Sequence, residues 1–194
     1  GCKGKFRLPS KATNAPSAYQ DGHKVTDSIC DWISKGFAYG PIDLDEAPTD
    51  AKFSGIMTRP KPTGAVRIIL NLSSPSGQSV NEGIDPDQFP TSMSSTTRWL
   101  TELNKAGRGS KIMKCDWSDA YKHLAVSLED SKLQWFTWLG RGFCELCLIF
   151  GSKSSVGLYD RLAKLVLKIV CHQSGMPESM VCQHLDDCAG AAPH

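Results

Sequence analysis

The chain has 194 residues, 40% of them hydrophobic and 22% charged, enough for one substantial domain or two small lobes around a buried core. Its 22 Lys and Arg against 20 Asp and Glu leave a net charge of +2, so no strong positive field announces a polyanionic partner and local patches must carry that argument. No stretch approaches the roughly 18 unbroken apolar residues of a membrane span, and Gly1-Cys2-Lys3-Gly4-Lys5 leads into no apolar signal region, so a soluble, intracellular protein with no membrane partner is expected.

Residues 1–24 are polar and rich in Lys, Pro and Ser, and read as an irregular lead-in. From Thr26 or Asp27, the residues Ile29, Trp32 and Ile33 recur at helical spacing until Gly36. Residues 55–72 have two β-prone arms around a Pro/Gly turn, which predicts a hairpin. In its second arm Val66, Ile68, Leu70 and Leu72 share one face and Arg67 lies on the other, while Arg59 and Lys61 fall near the tip. Cations on a stiff hairpin suit a triphosphate, although, taken alone, an ordinary solvated basic hairpin is the favoured reading of them. Residues 73–90 form a Gly/Ser/Pro/Asp-rich loop. Ser94 or Ser95 then caps a helix with Trp99, Leu100 and Leu103 on its apolar face, ended by Gly107.

A strand over residues 110–116 closes on Asp116, followed at once by Asp119-Ala120-Tyr121. Residues 133–138 and 143–150 flank Leu139-Gly140-Arg141-Gly142 as another hairpin, with Trp135, Phe136 and Trp138 expected in the core more than against bases. The clearest helix opens at Ser155 and carries Leu158, Leu162, Leu165, Val166, Ile169 and Val170 at spacings of three and four, with Gly175 and Pro177 beyond it. Its start, beside Lys153, is a plausible anion site without P-loop spacing. Of eight cysteines, Cys144 and Cys147 make the one C-x-x-C. On a strand they point to opposite faces, so reduced, buried thiols are favoured over zinc.

The run from Met180 to Cys188 ends its apolar part in Asp186-Asp187, at an expected strand end or hairpin tip. Adjacent carboxylates are cheap only in open water or beside a polyvalent cation, and a solvated turn satisfies the first condition. A second acid, Asp116, also ends a strand. Asp116, Asp186 and Asp187 converging on one spot make a two-cation site for in-line displacement at phosphorus.

Over residues 37–192 the chain resembles the reverse transcriptases. Asp116-Trp117-Ser118-Asp119-Ala120-Tyr121 looks like their first palm motif, Phe150-Gly151-Ser152-Lys153-Ser154-Ser155 is similar to the second, and His184-Leu185-Asp186-Asp187 to the Y-x-D-D box. The phrase from Leu72 to Ile84 looks more like the tyrosine-recombinase (DIRS-type) retrotransposons. His184 stands where the box has Tyr, Val156 where the family has Pro, and Asn71 where it often has Asp.

The resemblance implies an α+β fold: the fingers and palm of a right-hand polymerase, with an antiparallel palm sheet packed on helices and the thumb missing. The expected division is fingers and connections over residues 25–108 and palm over 109–194, cut after the third motif from a longer polypeptide. It implies Asp116, Asp186 and Asp187 as catalytic metal ligands for two Mg²⁺ ions, with Mn²⁺ able to substitute. Lys61, Arg67, Asp119, Ala120, Tyr121, Phe150 and Gly151 would bind the dNTP, with Tyr121 under the sugar where it excludes a 2′-hydroxyl. His184 and Leu185 would touch the primer. The implied enzyme is an RNA-directed DNA polymerase acting on a primed RNA or DNA template, with thumb, RNase H or recombinase domains elsewhere in the same polyprotein. The alternatives are a degenerate, non-catalytic nucleic-acid or partner-binding descendant, an RNA-dependent RNA polymerase, and a redox or zinc protein built on Cys144 and Cys147.

Overall fold

A computed structural model describes residues 12–192. In chain order it has α1 (Pro16–Gln20), α2 (Gly22–Ser34), β1 (Ala38–Ile42), β2 (Phe53–Ser54), β3 (Ile56–Pro60), β4 (Val66–Leu70), α3 (Thr96–Ala106), β5 (Lys111–Asp116), α4 (Leu128–Ser131), β6 (Trp135–Trp138), β7 (Arg141–Glu145), α5 (Ser155–Ser174), β8 (Val181–His184) and β9 (Asp187–Ala192). The architecture is α+β, as expected. The chain divides into one unit of residues 1–85 and 121–155 and a second of residues 86–120 and 156–194. These boundaries differ from the contiguous 25–108 and 109–194, because the chain passes between the units three times.

The first unit holds a four-stranded sheet in the order β1-β7-β6-β2, with β2 parallel to β6 and the other pairs antiparallel, and the separate β3–β4 hairpin. Alternation decides which face of β4 is buried. Val66, Ile68, Leu70 and the following Leu72 are all under 5% exposed, and Arg67 is exposed. They pack with Ile56, Phe136 and Phe143, each fully buried side chain contributing roughly 1.5–3 kcal/mol. Trp135, Phe136 and Trp138 are core residues at 4%, 0% and 3% exposure. The irregular lead-in ends earlier than expected. Pro16 starts α1 at a position where a missing N–H costs nothing, Ala18 is fully buried, and Tyr19 stacks on Trp138 at 5.4 Å. The Asn14 amide fixes the entry, donating to the Thr137 carbonyl and accepting from the Ile56 N–H. The part of the lead-in before residue 12 lies outside the described residues.

The second unit is a three-stranded antiparallel sheet, β5-β9-β8, with α3 and α5. Ser95 caps α3 through its hydroxyl, which accepts from the Arg98 N–H, and Gly107 ends it. No residue of α3 is fully buried: Trp99 and Leu103 of its apolar stripe are partly covered, and Leu100 is 53% exposed. β5 forms one rim of the sheet and is exposed at every position. α5 is pinned to the segment before α3: Arg161 donates to the Gln88 carbonyl, and the buried Asp160 accepts from the Ser92 N–H. Gly157 permits that approach, since a Cβ there would stand 2.2 Å from the Phe89 carbonyl oxygen. Among the described residues no helix is long and apolar enough to cross a membrane.

Candidate active site

In the second unit, β5 ends and β9 begins at register partners, Asp116 opposite Asp187, and Asp187 is also opposite His184 of β8. Cross-strand partners share a face and sit side by side, with Cβ atoms about 4.5–5.5 Å apart. The turn between β8 and β9 consists of Leu185 and Asp186, with Leu185 in the left-handed region at φ 55°. The Trp117 N–H donates to the Asp186 carbonyl at 3.1 Å, tying the end of β5 to the hairpin tip. The backbone thus gathers Asp116, Asp186, Asp187 and His184 at one end of the sheet. Asp119 follows with φ 51°, and Ala120, 9% exposed, precedes Tyr121.

Two carboxylates directly across a ladder repel, and the charge that meets them here is Lys114. It lies two residues before Asp116 on the same face, and its Nζ is 2.9 Å from Asp187 Oδ1. The hydrogen bond to Asp187 raises the Lys114 ammonium above its ordinary pKa, and the charges of Asp187, Asp116 and Asp186 add to it. Among the described residues no three His, Cys, Asp or Glu side chains are grouped to hold a metal ion as they stand. The donor set suits a hard cation in offering carboxylate oxygens from adjacent strands, against which the Lys114 ammonium already competes for one of them.

In the first unit, the Arg67 guanidinium lies 4.7 Å from the centre of the Phe150 ring, and Phe150 lies 4.7 Å from Tyr121, tilted by 48°. Tyr121 is buried at 8% exposure and Phe150 is partly open at 39%. Lys61 sits in the turn of the β3–β4 hairpin, whose register pairs Arg59 with Arg67, so the basic residues collect at the tip. Gly151 holds φ 102°, and a Cβ there would come within 2.4 Å of the Leu70 carbonyl oxygen. Its carbonyl accepts from Asn81 Nδ2 at 2.7 Å, while Asn81 Oδ1 accepts from the Lys153 N–H. Asn81, 4% exposed, therefore positions the Phe150–Lys153 segment. Sequence reasoning missed this role, for which the only signal was one amide in a loop of Gly and Ser.

The thiols of Cys144 and Cys147 are buried at 2% and 5% exposure. Burial pushes Cys144 up to about 11 and raises Cys147, and the Cys144 Sγ donates to the Ser131 carbonyl. These are buried core thiols whose surroundings disfavour the thiolate that metal binding needs.

No protein-family model and no curated protein matches the chain. Solved structures do. The foamy viral protease-reverse transcriptase in complex with double-stranded DNA matches with a TM-score of 0.65 and 18% identity over 98% of this chain and 29% of its own. A prototype foamy virus protease-reverse transcriptase mutant matches at 0.64 and 18% over 99% of this chain and 22% of its own. A further foamy viral enzyme–DNA complex matches at 0.63 and 17%, over 97% and 34%. The chain has a reverse-transcriptase-like fold and spans about a third or less of the length of these proteins.

Proposed function

We propose that the chain is the fingers and palm of an RNA-directed DNA polymerase, related to those of tyrosine-recombinase retrotransposons. It would join a dNTP to a primer 3′-hydroxyl on an RNA or DNA template. The observation that carries this reading is the register of Asp116 against Asp187, with Asp186 held in the adjoining turn by the Trp117 N–H. Asp116, Asp186 and Asp187 would hold two Mg²⁺ ions, which supply activation of the attacking hydroxyl and stabilisation of the leaving pyrophosphate. Arg67 and Lys61 neutralise the triphosphate, Arg67 being preset by its contact with Phe150. Tyr121, braced on Phe150, stands under the sugar and leaves no room for a 2′-hydroxyl. His184 and Leu185, at the hairpin tip, meet the primer end.

The test is addition of a single dNTP to a primed template by the purified chain. Asp187→Asn should lower the metal-dependent rate roughly a hundredfold or more, and Tyr121→Ala should raise ribonucleotide use relative to deoxynucleotide use. An incorporation rate indifferent to Asp187 refutes the reading. A second reading, a non-catalytic nucleic-acid-binding descendant, is favoured by the ammonium of Lys114 on Asp187, and it predicts template-primer binding with no extension under any metal.

A further inference from the structure

The polymerase reading treats the carboxylates as ligands waiting for cations, yet their end of the sheet already carries one. Lys114 pairs in register with Ala189, not with Asp187, so its side chain reaches diagonally to the next position of β9. The ammonium ends 2.9 Å from Asp187 Oδ1, on the face shared with Asp116. Its diagonal place in the ladder comes from strand register, and both side chains are more than half exposed.

We propose that Lys114 is the resident counter-ion of the Asp116/Asp187 pair, so that a divalent cation enters by exchange against its ammonium. The inference rests on the polymerase reading and adds a positioning residue to it. Without metal, the lysine offsets the repulsion between the facing carboxylates and keeps β5 and β9 paired to their ends. When a divalent ion arrives, one positive charge leaves Asp187 and two enter, with no covalent change. The exchange weakens divalent binding and makes it sensitive to salt, because both partners are exposed.

The experiment titrates the 194-residue chain with Mn²⁺ alone, read by the loss of the free-ion paramagnetic signal. Lys114→Gln should bind Mn²⁺ about three- to fivefold more tightly than the parent at low salt, with the gap closing at high salt. Lys114→Arg, which keeps the charge, should stay within about twofold of the parent. Equal or weaker binding by Lys114→Gln, where Asp187→Asn abolishes binding, overturns the exchange and leaves the polymerase reading standing. Absence of saturable Mn²⁺ binding in both the parent and Lys114→Gln overturns the two together.

Discussion

Glu145 brings a carboxylate into the interior of the first unit, where it is 1% exposed. Its partner is the Lys122 ammonium, which also lies 4.3 Å over the ring of Trp32. Burial raises the Glu145 pKa above its ordinary 4.5, and the charge of Lys122 opposes the shift. An acid whose pKa is higher in the folded protein than in the unfolded chain holds its proton longer when folded. It therefore costs stability as pH rises from about 4.5 through the folded value. Wild type should lose stability relative to Glu145→Gln across that window in urea unfolding at stepped pH, and a flat difference would contradict the burial. Lys122→Met leaves the carboxylate unpaired and should cost about 3 kcal/mol in the same assay.

Neither Glu145 nor Asn81 was legible as a structural hub, because their partners lie 23 and 70 residues away in the chain. Arg67 was legible, since period-two alternation alone turns it from the apolar face. The convergence of Asp116 and Asp187 could be anticipated from two strand ends, but the lysine on Asp187 could not. Alternation put Lys114 on the right face, and only the register of β5 against β9 brought it to Asp187.

Among the elements, the hairpins were the most readable, because Pro and Gly mark the β3–β4 and β6–β7 turns. β1 and β9 were not. β1 contains Gly40-Pro41, and β9 is Asp-Cys-Ala-Gly-Ala-Ala, compositions that argue against strands. Pairing decides both cases: β1 rides on the edge of β7, and β9 is hydrogen-bonded by β5 on one side and β8 on the other. Small residues in β9 also leave room, since a Cβ on Gly190 would already press Met113 at 3.2 Å. The start of α5 supplies a test of packing against propensity. Gly157→Ala gains up to about 1 kcal/mol of helix preference but sets its methyl against a backbone carbonyl at 2.2 Å, which must move. The net effect expected in thermal unfolding is a loss of about 1–3 kcal/mol. A rise in stability would mean that residue 89 does not lie against the helix.

At the scale of the molecule, a division taken from the order of motifs is contiguous, whereas the units are each assembled from two separate stretches. The second unit needs residues 86–108 as much as the carboxylate strands. The Ser94 N–H donates to the Gln183 carbonyl and the Ser94 hydroxyl accepts from the Gln183 N–H, on the open side of β8, and Ser92 and Gln88 bind Asp160 and Arg161 of α5. A polypeptide of residues 109–194 should consequently fail to give dispersed amide resonances, although it contains all three acids. A well-folded spectrum from that piece would show the earlier segment to be dispensable.

The strand that delivers Asp116 runs along the outside of its sheet with every residue in solvent, Ile112 and Met113 included. A bare strand margin offers its free amide and carbonyl row to any similar margin on a second molecule, and cationic side chains are a common guard against such zipping. Lys111 and Lys114 supply that guard here. Mutual repulsion between two copies would thus come partly from the same ammonium that shields the acids, and a substitution chosen to sharpen ion capture would at the same time make the protein stickier toward itself.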